Sequence, residues 1–246
     1  MTDTRITAML HNLTAHLSGT SARTSLLAHT LLGDVLQNTG PAQARESYQR
    51  SLAIARNLVE IWPEDLHARR DLAVALNNVA GMLENSDPRR ALGLYEESLG
   101  ISRELAAELL GDLRARRDLA IALINVSGML KHSDPRRAVE LYEEALSISR
   151  ELAVRLPGNL QALWDLGVSA ARLAQLLPTE DPERIPLWRE AAISLRDALA
   201  IQPEHRELGC MSYCAALDYA DCDTDDRDEW LAYAAELAER FGFRKE

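Results

Sequence analysis

The amino-acid sequence predicts an all-α fold made of stacked helical hairpins, and two observations predict it. Residues 66–112 and 113–159 align without a gap, and 33 of their 47 positions are identical. A fixed period of 20 to 50 residues is typical of stacked supersecondary units, which present binding surfaces more often than catalytic pockets. Aromatic residues make up only 5% of a chain that is 47% hydrophobic, and no stretch alternates apolar and polar residues as strands do. The sequence therefore predicts a binding scaffold and leaves its ligand open.

Each repeat is predicted to form two helices. The apolar residues of the first helix recur with helical spacing at Leu72, Leu76, Val79 and Leu83. The run breaks before Pro88, which suits the first turn of a second helix capped by Ser86 or Asp87. That helix turns one face inward and ends near Gly111, where a left-handed residue can close it. Its predicted inward residues are Ala91, Leu94, Tyr95, Leu99, Ser102 and Leu105.

The period extends beyond the two matched repeats. Tyr48 lies 47 residues before Tyr95, and Trp188 takes the tyrosine position of a later copy that has lost one residue. A last, shortened and acidic hairpin is expected to have helices near 206–220 and 227–241, with Asp225 or Asp226 as the cap of the second helix and Trp230 in the tyrosine position. Trp62 is expected to close its helix against the stack. We predict five hairpins, at residues 21–65, 66–112, 113–159, 160–203 and 204–246.

Residues 1–20 are predicted to hold a further amphipathic helix, over residues 4–18. Its apolar residues share one face, which must pack against something. The helix either caps the first hairpin or lies in the protein's own groove and leaves when a partner arrives. The residues of that face are Ile6, Met9, Leu10, Leu13 and Leu17.

Charge and composition exclude several classes of function. The net charge of −11 argues against nucleic-acid binding, which relies on lysine and arginine to neutralise phosphates. No apolar run approaches the 18 or so residues of a membrane span, and no signal peptide is evident, so we expect a cytoplasmic protein. Three clustered cysteines are too few for a disulfide framework, and with His205 they match no common zinc spacing. No cofactor or metal is predicted.

The repeat resembles a known family. Its first helix carries a pattern of large and small residues at Leu76, Val79, Ala80 and Leu83, and its second carries Ala91, Tyr95 and Ser98. The next copy matches at Leu123, Val126, Ser127, Leu130, Ala138, Tyr142 and Ala145. This pattern is similar to that of tetratricopeptide repeats, and the 47-residue length resembles long-helix bacterial variants. The resemblance implies a right-handed α-solenoid whose concave face, lined by the first helix of each hairpin, holds a peptide or a helix of a partner.

Two rows of polar residues are the candidate site. One row is Asp71, Asp118 and Asp165, and the other, seven residues along the same helices, is Asn78, Asn125 and Arg172; the first copy has Thr24 and Leu31 at these positions. Helix interiors disfavour asparagine and aspartate, so their recurrence suggests a role. In a groove, the asparagines would bond a ligand backbone, Arg172 would bind a carboxylate, and the aspartates would meet basic groups.

The alternative is that arginines preceding the aspartates bridge neighbouring hairpins and zip the stack together. Trp164, which replaces one of these arginines, is either an interface anchor or a filler where the repeat length changes. Some tetratricopeptide domains bind a terminal carboxylate with lysine, asparagine and arginine residues of successive first helices. This set is incomplete here, because Asn77 and Val168 occupy positions where those domains have lysines.

The sequence therefore predicts a non-enzymatic adaptor or regulatory subunit that binds a protein or peptide partner. It holds no phosphate-binding loop, nucleophile elbow or metalloprotease motif. One alternative is a structural protein that self-assembles through its terminal hairpins. Another is a metal or small-ligand sensor that uses Cys210, Cys214 and Cys222.

Overall fold

The computed structural model describes residues 22–222 and 225–243. Within these residues the protein forms ten α-helices and no strand, so the all-α prediction is confirmed. The segment at residues 4–18 lies outside the described residues. In chain order the helices are α1 (Ala22–Leu36), α2 (Pro41–Ile61), α3 (Leu66–Gly81), α4 (Pro88–Glu108), α5 (Leu113–Leu130), α6 (Pro135–Arg155), α7 (Leu160–Leu176), α8 (Arg184–Ile201), α9 (Arg206–Ala220) and α10 (Arg227–Phe241).

Consecutive helices pack against each other in two compact units. The first unit ends at Met129 and the second begins at Leu130, close to the C-terminal end of α5. In the first unit α1 packs on α2, α2 on α3 and α3 on α4; in the second, the same succession of contacts runs from α6 to α10. Short connections between packed neighbours make each pair an antiparallel hairpin. Each unit is therefore a stack of hairpins.

The helices begin at capping side chains that recur with the repeat. Asp87 and Asp134 each accept a hydrogen bond from the backbone N–H three residues later, at 3.2 Å, and a proline follows each cap. The cap predicted at Asp87 is thus confirmed. A second set of caps, which the apolar period alone does not reveal, starts the first helix of each later hairpin. It consists of Asp65, Asp112, Asn159 and His205.

Five aromatic side chains at equivalent positions of the repeat are buried. The second helices place these aromatic residues inward at the predicted positions, and none is more than 4% exposed. They are Tyr48, Tyr95, Tyr142, Trp188 and Trp230. Leucines and alanines of the first helices are buried as well; Leu76 and Leu123, for example, are fully buried. His29 occupies the place in α1 that is equivalent to Leu76, and it is also buried.

Ion pairs link second helices of successive hairpins within each unit. Arg56 of α2 lies 3.0 Å from Glu97 of α4. Arg150 of α6 lies 2.7 Å from Glu190 of α8. These pairs are partly exposed, so each contributes little stability.

Two expectations are corrected. Trp62 does follow the last residue of α2, but its side chain is 54% exposed instead of closing against the stack. Asp226 does precede α10, yet its carboxylate makes no capping bond. It accepts hydrogen bonds from the Tyr219 hydroxyl at 3.1 Å and from the Trp230 indole at 3.2 Å. Tyr219 and Trp230 are buried side chains, and the Asp226 carboxylate supplies a hydrogen-bond acceptor to both of them.

Candidate functional site

A groove with a volume of about 740 Å³ lies between α3, α4 and α5 of the first unit. We call it the first-unit groove. Helices α3 and α5 line it with equivalent residues of the two matched repeats, and Leu105 and Leu109 of α4 contribute apolar surface. The residues that bear on its chemistry are Val74, Asn77, Asn78, Asp118, Ile121 and Asn125. Three of the residues singled out from the sequence are therefore brought together here.

The groove repeats one chemical pattern on two helices. Val74 and Asn78 lie one turn apart on α3, and Ile121 and Asn125 stand at the same positions of α5. Neither Asn78 nor Asn125 makes a side-chain hydrogen bond within the described part of the chain. An asparagine amide offers a donor and an acceptor together. The groove therefore presents two open amides beside two apolar side chains.

Asp71 and Asp118 are held by arginines of the preceding hairpin. Arg23 of α1 lies 3.0 Å from Asp71 of α3. One repeat later, Arg70 of α3 donates to Asp118 of α5, with its Nη2 at 3.0 Å from Oδ1. Burial raises the pKa of Asp71, while the charge of Arg23 opposes that rise. Both carboxylates thus lie in ion pairs that tie the first helices side by side, the arrangement of the zipper alternative.

Asn77 is a groove residue that the polar rows did not include. Its Oδ1 is buried and has no hydrogen-bond partner among the described residues. The equivalent residue of the preceding copy, Thr30, is paired with Ser51 at 2.8 Å, and that of the next copy is Ile124. The signal in the sequence is that Asn77 is one of the positions at which the two matched copies differ.

The remaining candidates lie on α7 of the second unit. The ring of Trp164 meets that of His205 edge-on, with centroids 5.3 Å apart. Asp165 accepts a hydrogen bond from Gln161 at 2.9 Å. Arg172 is exposed and makes no hydrogen bond or ion pair within the described residues. The face of α7 therefore presents a half-buried indole and an available cation.

Two cysteines of α9 occupy positions equivalent to those of residues on the candidate face of α7. Counting from the equivalent caps Asn159 and His205, Cys210 and Cys214 take the places of Trp164 and Val168. Both are exposed free thiols, and burial raises the pKa of Cys214. Within the described residues no group of three metal-binding side chains occurs. None of the helices in that part of the chain is both long and apolar enough to span a bilayer.

Known structures share this arrangement of packed helical hairpins. The chain superposes on the apo form of RapI with a TM-score of 0.57 and 16% identity, over 95% of this chain and 58% of that one. The fold is tetratricopeptide-like. A thermophilic TPR protein of Thermus thermophilus, TTC0263, matches with a TM-score of 0.51 and 18% identity, over 87% of this chain and 99% of that one.

The same tetratricopeptide-like fold recurs in a larger protein. PH0952 from Pyrococcus horikoshii is a signal transduction ATPase with a tetratricopeptide repeat sensor. It matches with a TM-score of 0.57 and 12% identity, and the match spans 90% of this chain but 31% of that one. No protein-family model and no curated protein sequence matches the chain. At sequence identities of 12% to 18%, the similarity to these structures shows a shared fold.

Proposed function

We propose that this protein is a non-enzymatic interaction scaffold that binds a peptide segment of a partner protein in the first-unit groove. The observation that carries the proposal is the repeated pair of an apolar residue and an open amide, Val74 with Asn78 and Ile121 with Asn125. A peptide in extended form alternates side chains with backbone N–H and C=O groups. Amides on adjacent helices can bond that backbone while the apolar side chains contact the side chains of the ligand.

The ion pairs support this proposal by fixing the groove before a ligand arrives. Arg70 and Asp118 hold α3 against α5, so the spacing between Asn78 and Asn125 is set by the fold. A preformed site avoids much of the ordering entropy that binding otherwise costs. In this proposal Asp71 and Asp118 hold the helices that line the groove in place, and Asn78 and Asn125 contact the ligand directly.

The face of α7 is the proposed second contact surface. Trp164 would anchor an apolar group of the partner, and the exposed guanidinium of Arg172 would pair with a carboxylate. Asp165 lies between them in the sequence of the same helix and would accept a hydrogen bond from the partner. The proposal invokes no cofactor, metal or catalytic residue.

Peptide selection tests the proposal even though the partner is unidentified. A displayed library of random peptides is selected against the full chain, and the dissociation constants of selected peptides are measured by calorimetry. The Asn78→Ala/Asn125→Ala variant removes both amides. We expect it to bind about tenfold or more weakly, because two hydrogen bonds of about 1 kcal/mol each are lost.

The matched control lies at the hairpin tips, 11 residues along the chain from each amide and outside the lining of the groove. Arg89→Ala/Arg136→Ala removes two exposed arginines at equivalent positions, and we expect it to bind the same peptides with unchanged affinity. Circular dichroism checks that both variants are folded. Equal affinity of the wild type and the amide variant would overturn the proposal, and loss of binding in the tip variant would move the site to the tips.

A further inference from the structure

The connection between α2 and α3 differs from the equivalent connection one repeat later. Trp62 and Leu109 each follow the last residue of a second helix, but Leu109 is half-buried and Trp62 is 54% exposed. Two residues further on, Glu64 stands where the next copy has Gly111. Neither Trp62 nor Glu64 makes a side-chain hydrogen bond or ion pair within the described residues. Because the next copy closes this turn with leucine and glycine, the turn itself requires neither tryptophan nor glutamate.

Residues 61–65 line a depression with a volume of about 460 Å³, which we call the tryptophan pocket. It shares Glu64 and Asp65 with the first-unit groove, so the two depressions are contiguous. Ile61 and Trp62, each 54% exposed, supply its apolar surface. A ligand that lies in the groove can therefore extend over the indole of Trp62 without leaving the surface of the first unit.

The charge beside the indole is negative. Residues 60–65 hold three carboxylates and no lysine or arginine. In the groove Arg70 pairs with Asp118, and the other charged residues of the lining are three carboxylates and one guanidinium. They are Glu64, Asp65, Asp112 and Arg114. Two backbone N–H groups at the start of α3 hold the pKa of Asp65 below its usual value of 3.8, so this carboxylate is ionised at neutral pH. The pocket therefore attracts a cationic group of a ligand and repels an anionic one.

The second unit shows how such a surface binds a guanidinium. Arg196 of α8 lies over the ring of Trp230, with its Cζ 4.7 Å from the ring centroid. The Nη1 of Arg196 lies 3.7 Å from a carboxylate oxygen of Glu229, the residue before Trp230. The indole face attracts the cation, and the neighbouring carboxylate adds an ion pair. Trp62 and Glu64 offer the same two groups, and within the described residues no ion pair engages them.

We propose that the tryptophan pocket binds an arginine side chain of the peptide held in the first-unit groove, with the guanidinium over the indole of Trp62 and paired with Glu64. The inference rests on the function proposed above and adds the class of ligand, a peptide with an arginine beside the segment that contacts the amides. A planar guanidinium stacks on an indole and pairs with a carboxylate through two parallel N–H groups. Asp71 and Asp118 are already paired with arginines of the chain itself, so the basic group of the ligand is recognised at Trp62 and Glu64 instead.

A peptide in two isosteric forms tests the inference on the full chain. Peptides selected from the random library should share an arginine, and one of them is synthesised with that arginine and with citrulline, which keeps the planar shape and carries no charge. We expect the arginine form to bind the wild type about tenfold more tightly by calorimetry. Trp62→Ala/Glu64→Gln should bind the two forms with equal affinity. In the wild type the difference should shrink as the salt concentration rises from about 0.05 to about 0.5 M, because salt screens exposed charges.

The matched control lies at the equivalent connection between α8 and α9, where Ile201 and Glu204 are also exposed. Ile201→Ala/Glu204→Gln removes an exposed apolar side chain and a carboxylate there, and it should keep the full preference for arginine. Loss of the preference in this variant would overturn the assignment to the tryptophan pocket.

The outcomes separate this inference from the function on which it rests. Selected peptides that share no arginine, equal binding of the two forms to the wild type, or an undiminished preference in Trp62→Ala/Glu64→Gln would overturn the inference. If such peptides still bound Asn78→Ala/Asn125→Ala more weakly than the wild type, the function of the groove would stand. An arginine preference that depends on Trp62 and Glu64, in peptides that the amide variant binds as tightly as the wild type, would support the pocket and overturn the role of the amides. A selection that enriches no peptide would overturn both.

Discussion

Arg70 on α3 donates to Asp118 on α5, one repeat after Arg23 on α1 pairs with Asp71 on α3. In both pairs the arginine precedes its partner by 48 residues, one more than the repeat. In residues 66–112, the adjacent residues Arg70 and Asp71 therefore serve two interfaces, the aspartate towards the preceding hairpin and the arginine towards the following one. This explains why the aspartate recurs in helix interiors that otherwise disfavour it.

A double-mutant cycle on Arg70→Ala and Asp118→Ala should show coupling of about 1 kcal/mol in urea unfolding. The side chains are only 23% and 19% exposed, so solvent screens the pair in part. The control pair, Arg50 and Glu46 on the surface of α2, is 60% and 62% exposed, and its coupling should stay below about 0.5 kcal/mol. If Asp118→Ala left stability unchanged but abolished peptide binding, the aspartate would be a ligand contact instead.

His29→Leu should stabilise the protein and flatten its response to acid. His29 stands where later copies have Leu76 and Leu123, its Nδ1 is buried without a partner among the described residues, and burial lowers its pKa below 6.5. The unfolded chain then binds the proton more readily, so the stability due to neutral His29 is complete above pH 6.5 and declines as the pH falls through 6.5 towards the folded pKa.

We expect His29→Leu to gain about 1–3 kcal/mol near neutral pH, since a buried unpaired polar atom is replaced by an apolar side chain. The measurement is the free energy of unfolding in urea at several pH values between about 7.5 and about 5. A wild-type slope that persisted in His29→Leu would show that another group titrates.

Gly167→Ala should destabilise the second unit. A Cβ at this position of α7 would lie 2.6 Å from Cγ of Leu195 and 3.3 Å from the backbone oxygen of Ala191. Because α7 and α8 would have to separate, thermal unfolding should show a loss of about 1–3 kcal/mol. Gly93→Ala is the matched change in an open helical position, with no atom within 4 Å of the added carbon, and should gain about 0.5–1 kcal/mol. Losses of equal size would indicate that helix packing is not the cause.

Tyr95→Phe and Tyr142→Phe remove the same hydroxyl from equivalent positions one repeat apart. Tyr95 donates to Glu84 at 2.6 Å, and burial together with that carboxylate raises the pKa of the phenol. Tyr142 makes no hydrogen bond within the described residues. Urea unfolding should therefore show a loss of about 1–2 kcal/mol for Tyr95→Phe and a change within about 0.5 kcal/mol for Tyr142→Phe. A similar loss in both would show that the bond to Glu84 contributes nothing.

Much of the fold could be predicted because each repeat contains its own local signals. The spacing of Leu76, Val79 and Leu83 defines a helix face without reference to distant residues, and Asp87 with Pro88 marks where the next helix begins. The site was predictable only in part. The recurrence of Asn78 and Asn125 pointed to the groove, whereas Asn77 depends on what surrounds it and differs between copies.

The number, order and inward faces of the helices follow from the local sequence alone, because hydrophobic period and capping act over a few residues. The partner that each polar side chain takes depends instead on how the helices pack. In the packed structure Arg70 pairs with Asp118, and Trp62 stays exposed. The Asp226 carboxylate accepts hydrogen bonds from Tyr219 and Trp230 and does not cap its helix. The physical reason is that a hydrogen bond or ion pair depends on distances of a few ångströms between groups that the chain brings together only after its helices have packed.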